Sequence, residues 1–465
     1  WVSVACPTLD ALREGLWENV NQSSSNLRVF PNTVINAVTT EGTKITQVET
    51  IQRTPSTNPQ YCNGWDVPLS QQIEDWYSTT PSSRYPTKEI LTFEPSIVIE
   101  ATDWGEVLLV SKAPHLLGAQ ERLQWREEKE TGEGEENRQE VCGQSLTFTF
   151  VEELRKNAGN EPVYATDVPS YVNYSLEGDN WQTIWTYRRE ETKGKGGTSP
   201  PFIAWVGDRV LQNWGGGNDN IYGYGLVDVK ELGEKHPTPL SGINLTTFHV
   251  GEQQALGWHS FYRDQAPTEY TNHTFLVVDP ETQTKACTGL SKMPYFRDGR
   301  RSIGMNGFLW RIDDVTSTDN NATAVPPFDR LGIGLYNVDI HSISWCDYPE
   351  SVYKEYQVMP YFLPLRAFTN VKYDNLLVTG LSIAQDFILS TTTRTHPPQW
   401  AAGVAVGVAA SFMEQHKLSS VVDLFDDNNL AALQNETKKQ QPLCWNINGE
   451  LYPDDGFCYT QTKNF

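Results

Sequence analysis

Within five residues the chain places three guanidinium groups, at Arg297, Arg300 and Arg301. A planar guanidinium pairs bidentately with carboxylates, so Arg297, Arg300 and Arg301 are candidates for holding a substrate carboxylate or stabilising a developing anion, Arg297 and Arg301 foremost. The alternative is an ordinary ion pair, since 58 Asp and Glu residues are present to pair with them. Asp339 and His341 stand two apart at the end of an apolar run, LGIGLYNVDIH at 331–341. On a strand that spacing puts both side chains on one face, where the aspartate could orient an acid–base imidazole. A histidine with a purely structural role fits the same pattern. Arg394 and His396 precede a Pro397-Pro398 pair. No group of His, Cys, Asp and Glu has metal-ligand spacing, and no C-x-x-C pair occurs among the seven cysteines, so no catalytic metal is expected. Cys444 and Cys458 could pair, but spacing does not decide it.

The elements that would position these groups are partly legible. Leu376, Leu377 and Val378 form a short apolar run ending at Thr379-Gly380, the pattern of a buried strand delivering a glycine turn. Pro398 suits the first turn of a helix running to about His416, with Trp400, Ala401, Gly403 and Gly407 inside it. Two helix-interior glycines cost roughly 1 kcal/mol each against alanine, which predicts close approach of the backbone to something. That something is either an anion at the helix start or a sheet packed tightly against it. Residues 9–20 carry Leu9, Leu12, Leu16 and Val20 as one helical stripe, and 27–52 read as strand, turn, strand. Residues 53–86 are long, polar and without period, predicting an insertion over the surface. SLTFTFVEEL at 145–154 alternates as a strand, and 248–262 read as helix. The segment NWGGGNDN at 213–220 reads as a tight turn and lacks the Lys-Ser/Thr ending of a P-loop.

Three ordered blocks resemble a known family. DNLLVTGLSI at 374–383 with RTHPPQWAAGVAVG at 394–407, PYFRDGRRSIG at 294–304, and IVIEATDWGE at 97–106 are similar to segments of FAD-dependent oxidoreductases with a glutathione-reductase-like FAD domain. The resemblance implies an α/β fold: that FAD-binding domain, discontinuous over 1–121 and 371–420, plus an antiparallel-sheet substrate domain over 144–370. Between them lies a charged loop at 122–143, and 421–465 would be a C-terminal extension. It implies that Val34, Ala101, Thr102, Gly380, Arg394, Pro398, Trp400, Ala401 and Gly403 face FAD, that the segment at 213–220 is instead a loop lining the active site, and that hydride passes from a small organic substrate to the flavin. The flavin does that chemistry while the protein orients the substrate.

One part of the family pattern is absent. Such a domain begins with a strand, a G-x-G-x-x-G turn and a helix, and no stretch here has that spacing after a strand. Trp1 lies where the family is already past this unit. The expectation is therefore a separate N-terminal chain carrying the dinucleotide motif, either cleaved from this one or made on its own. The competing reading is a cofactor-free binding or structural protein derived from a flavoprotein. The net charge of −22 argues against nucleic acid as a partner, and no apolar run reaches the length of a membrane span. Six N-x-[ST] sites, at Asn21, Asn173, Asn244, Asn272, Asn321 and Asn435, are compatible with secretion but also arise by chance in an Asn- and Thr-rich chain.

Overall fold

The computed structural model describes residues 9–23, 26–119, 141–156, 167–176, 178–191, 204–228, 237–271, 274–278, 286–316, 323–453, 455 and 458. Most of the predicted charged loop lies outside these residues.

The first layer is an antiparallel meander of β1 (Thr33–Glu41), β2 (Lys44–Thr54) and β3 (Thr87–Phe93). It packs beside a parallel pair, β4 (Val98–Glu100) against β11 (Leu376–Val378), whose partners are almost 280 residues apart in sequence. Ile45, Val98, Val107, Leu108, Tyr373, Leu376 and Val378 fill the space between them. β11 is the apolar run predicted to be a buried strand, and all three of its residues are buried. A strand covered on both faces needs no alternation, which is why it reads as a continuous apolar run.

A second layer holds a four-stranded antiparallel sheet in the order β8 (Thr274–Val278), β5 (Phe150–Lys156), β7 (Arg209–Gln212), β6 (Arg189–Glu191). The helix α3 (Leu245–Asp264) lies against this part of the core, capped by the Asn244 side chain on the Thr247 amide. The stretch at 53–86 runs over the surface only in part. Leu69, Ile73, Trp76 and Tyr85 are buried in this same core, and Ser70 binds Glu252 of α3 through its amide and hydroxyl. Leu69 opens a single 3-10 turn (Leu69–Gln71) and Ile73 and Trp76 lie on the one-turn helix α2 (Ile73–Trp76), elements too short to establish a period over the whole stretch.

The third core is built on α5 (His396–His416), with β9 (Arg330–Gly334), β10 (Tyr361–Pro364), α4 (Phe387–Thr393) and α6 (Asp427–Thr437) around it. Ala401, Ala402, Ala405, Val406 and Ala409 face inward. Gly403 and Gly407 do not mark a close approach within this chain. Both are exposed, and a Cβ at either would meet nothing. α1 (Leu9–Gln22) forms as its stripe predicts, but Leu12 and Leu16 are exposed.

Candidate active site

Four of the residues singled out for chemistry converge, and a short beam at 144–147 brings them together. Leu146–Thr147 pairs with Asp219–Asn220 on one side, while Thr147 exchanges both backbone hydrogen bonds with Tyr295 on the other. Gln144 bridges to Ser342, and the Ser145 amide donates to the His341 carbonyl. A Cys142–Cys346 disulfide fastens the segment leading into the beam to the one following His341.

The Asp219 carboxylate is the hub. Oδ1 accepts from Ser145 Oγ (2.7 Å), Thr147 Oγ1 (2.9 Å) and Arg297 Nη1 (2.8 Å), and Oδ2 faces His341 Nδ1 at 2.6 Å. Burial alone would raise its pKa. Arg297, then His341 and Ser145, more than reverse that and hold Asp219 well below the usual carboxylate range. With Nδ1 bound to Asp219, the other ring nitrogen, Nε2, lies 3.4 Å from Asp339 Oδ1. Burial pulls the His341 pKa down, but hydrogen bonds to Asp219 and Asp339 outweigh it, so the net shift is upward. The His341 side chain is 27% and Asp339 40% exposed, whereas Asp219 is sealed at 1%, so the imidazole is accessible from one side only.

Arg394 closes the circuit. Its guanidinium, at the C-terminal end of α4, donates to Asp339 Oδ2 (2.6 Å) and to the Tyr295 hydroxyl (2.7 Å), and Tyr336 also donates to Asp339 (3.0 Å). The side chains of Asp339 and His341 meet, but not as neighbours on a strand. β9 ends at Gly334, and both residues stand on irregular backbone, His341 held to the beam by its carbonyl and Asp339 held instead by its amide on the Thr391 hydroxyl (3.4 Å). Asp219 and Tyr295 were not singled out from the sequence. The Gly-Asn-Asp turn at 213–220 held the signal for Asp219.

Arg301 is placed elsewhere. It is fully buried, donates to the carbonyls of Gln385 (2.7 Å) and Gly118, and pairs with Asp298 at 3.4 Å. Arg300, also fully buried, donates to the carbonyls of Trp104 (2.6 Å) and Gly242 (2.7 Å). The two point apart, as neighbours on an extended strand must. Neither joins the His341 cluster.

The residues expected to face a cofactor divide in two. Ala101 and Thr102 follow β4, and Thr379 and Gly380 follow β11, so both turns sit at the carboxyl ends of the parallel pair, joined by the Thr379 amide on the Glu100 carbonyl (2.9 Å). Ligands of α/β sheets bind at such ends. Gly380 has φ +63° with open space where a Cβ would project, and the buried hydroxyls of Thr379 and Ser382 beside it have no partner among the described residues. Unpaired buried hydroxyls around an open glycine fit a polar ligand group. Val34 is half-buried on β1, farther along the meander. On α5, Pro398 and Ala401 are buried while Trp400 is 59% exposed and Gly403 faces open space. The helix begins at His396, so Pro397 and Pro398 occupy its second and third positions. Two of its first three amide donors are therefore missing, and the start offers an anion its dipole more than its N–H groups.

The sequence model of a family described as FAD dependent oxidoreductase matches residues 83–436, about three quarters of the chain. The chain belongs to this family. It is an FAD-dependent oxidoreductase, and FAD is its cofactor. No curated protein and no solved structure matches it. Among the described residues, no helix is long and apolar enough to cross a membrane.

Proposed function

We propose that this flavin enzyme oxidises a small organic substrate at His341, with FAD held at the carboxyl ends of β4 and β11. When bound, the flavin supplies the hydride acceptor. Thr379, Gly380 and Ser382, with Ala101 and Thr102, would hold it. The observation that carries the reading is the unbroken chain Asp219–His341–Asp339–Arg394, which joins the antiparallel-sheet half to the segment following the flavin strand. Asp219 fixes the imidazole through Nδ1, and once Nε2 has lost the proton it directs at Asp339 that nitrogen can take one from a substrate hydroxyl or acidic C–H. Against the upward push of burial, His341 and then Arg394 hold Asp339 below the usual carboxylate range, and Arg297 with His341 does the same for Asp219, so the proton is retained on the imidazole rather than on a carboxylate.

The finer fold follows the same reading: a glutathione-reductase-like FAD domain completed by a βαβ unit carrying the dinucleotide motif. Two surface features support this. β4 pairs only with β11 among the described residues, leaving its other edge without a strand and Ile99 41% exposed. The α5 face bearing Trp400, Gly403 and Gly407 is also uncovered. The test is anaerobic: FAD-loaded protein is mixed with a panel of alcohols, amines and hydroxy acids while flavin absorbance is followed. Bleaching by one class, lost in His341→Gln at unchanged flavin content, supports the assignment. Full-rate bleaching in His341→Gln would sink it.

A further inference from the structure

Residues 171–175 read Tyr-Val-Asn-Tyr-Ser, an N-x-[ST] acceptor with an aromatic ring two positions before the asparagine. The segment is neither helix nor strand, and Tyr171, Asn173 and Ser175 are exposed. Tyr171 does not stand alone. Its ring meets Tyr222 at 5.1 Å and Trp345 at 5.3 Å, and those two meet each other at 5.7 Å. Tyr171 is 42% and Trp345 44% exposed, so three mutually braced rings present an open aromatic surface. Asn173 is fixed at its edge: the side-chain Nδ2 donates to the Tyr171 carbonyl (3.2 Å), and the backbone amide donates to the Tyr222 hydroxyl (3.4 Å). The Ser175 amide donates to the Gly216 carbonyl (2.9 Å) and the half-buried Tyr174 hydroxyl to the Gln254 carbonyl (2.9 Å), which anchors the acceptor triplet while Asn173 and Ser175 stay exposed.

The cysteines point to the compartment in which such acceptors are used. Cys62–Cys287, Cys142–Cys346 and Cys444–Cys458 are paired, with Cα–Cα separations of 5.9, 5.5 and 5.2 Å. Disulfides persist in the oxidising environment of the secretory route, where N-x-[ST] acceptors also receive glycans. The other sequons are less suited. Asn244 is half-buried and spends its side chain capping α3, and Asn21 and Asn435 sit on helices. Asn272 and Asn321 lie outside the described residues.

We infer that Asn173 carries an N-linked glycan whose first N-acetylhexosamine lies on the Tyr171–Tyr222–Trp345 surface. The donor is a lipid-diphosphate-linked oligosaccharide. Asn173 Nδ2 attacks the anomeric carbon and a C–N bond forms. The C–O bond to the diphosphate breaks with its electron pair, and the amide nitrogen gives up one proton without any redox change. The nitrogen keeps its second N–H, so its bond to the Tyr171 carbonyl can survive. A pyranose has one face of C–H groups that suits the electron-rich faces of aromatic rings, and hydroxyl edges that stay in water. A tethered sugar thus covers rings that would otherwise be wetted. The surface also adjoins the candidate active site, since the Ser344 amide donates to the Ile221 carbonyl (2.8 Å) and the same two segments supply His341 and Asp219.

The test begins with the full chain produced through a eukaryotic secretory route and analysed by glycopeptide mass spectrometry, with enzymatic release of N-glycans in isotopic water. The expected result is an occupied Asn173, converted on release to labelled aspartate. An unmodified Asn173 peptide overturns the site, whether or not another sequon is occupied. The stacking is read separately by comparing melting midpoints before and after glycan release. In the native chain release lowers the midpoint by about 1–2 °C, the scale of one modest contact in a protein of this size. In a Tyr171→Ala/Trp345→Ala variant the two midpoints coincide. An equal drop in both proteins, or no drop in the native chain, overturns the stacking.

Discussion

His341 stands between one sealed carboxylate and one accessible one, and that asymmetry gives each a separate job. Asp219, saturated by Ser145, Thr147, Arg297 and His341, cannot take up a proton without breaking several bonds, so it orients. Asp339 faces Nε2, on the exposed side of the ring. His341→Gln should therefore slow substrate-driven flavin reduction by about 10²–10⁴-fold, the usual contribution of a general base, with flavin content unchanged. Because the imidazole pKa is raised, the reduction rate should climb with pH from above the ordinary histidine value. Asp339→Asn removes one of the groups that raises it, so the pH–rate midpoint should move to lower pH. A midpoint that stays put would show that Asp339 does not reach the reacting nitrogen. Arg301 calls for a different measurement. Its bonds are to interior carbonyls and buried Asp298, so Arg301→Lys should lower unfolding stability by about 3 kcal/mol in denaturant titration.

At the scale of elements, two short pieces decide where a ligand can lie. In the turn after β4, Gly105 has φ +68°, and a Cβ there would stand 2.7 Å from the Arg300 Cβ, so the arginine block can pack against this turn only because the residue is glycine. The α5 glycines behave in the opposite way. A side chain at Gly403 meets nothing, so Gly403→Leu should leave the chain folded and improve helix propensity by up to about 1 kcal/mol. If that face receives a βαβ unit, the same variant should lose flavin. Measuring the melting midpoint and the bound flavin on one sample separates the outcomes: unchanged flavin content would show that nothing docks on this face.

Across the whole molecule, buried acids set the pH response. Burial pushes Glu106 and Glu252 each up to about 7 from 4.5, and the hydrogen bonds from Tyr77 and Ser70 only partly offset it. A group whose folded pKa is raised gives stability that is complete below its unfolded pKa and is lost as pH rises through the folded value. His341 adds the same sign from its unfolded value of 6.5 upward. Asp219 and Asp339, held low, act oppositely, and their contribution is lost only as pH falls below 3.8. Repulsion from the net charge of −22 also grows with pH. The melting midpoint should accordingly be highest near about pH 5 and fall toward about pH 8, each glutamate contributing at most on the order of 3 kcal/mol. Glu106→Gln with Glu252→Gln should flatten that slope, and an unchanged slope would refute the assignment.

What the sequence determined by itself is local. The apolar run at 376–378, the proline-opened helix that follows, the α3 segment and the three family blocks all depend on residues within a few positions of one another, because strand burial, caps and helix starts are set by neighbours. The tertiary structure decided which of those pieces meet. Asp219 and His341 are 122 residues apart, and Arg297 lies 78 from Asp219, so no period or motif links them; the beam at 144–147 does. The same crossing of chains sent Arg301 to interior carbonyls, buried Leu69, Ile73, Trp76 and Tyr85 of the stretch at 53–86, and left the α5 glycines facing open space. Backbone preference is a property of a short window of sequence. Hydrogen-bond partnership and burial are properties of where distant windows cross, and only the folded chain fixes those crossings.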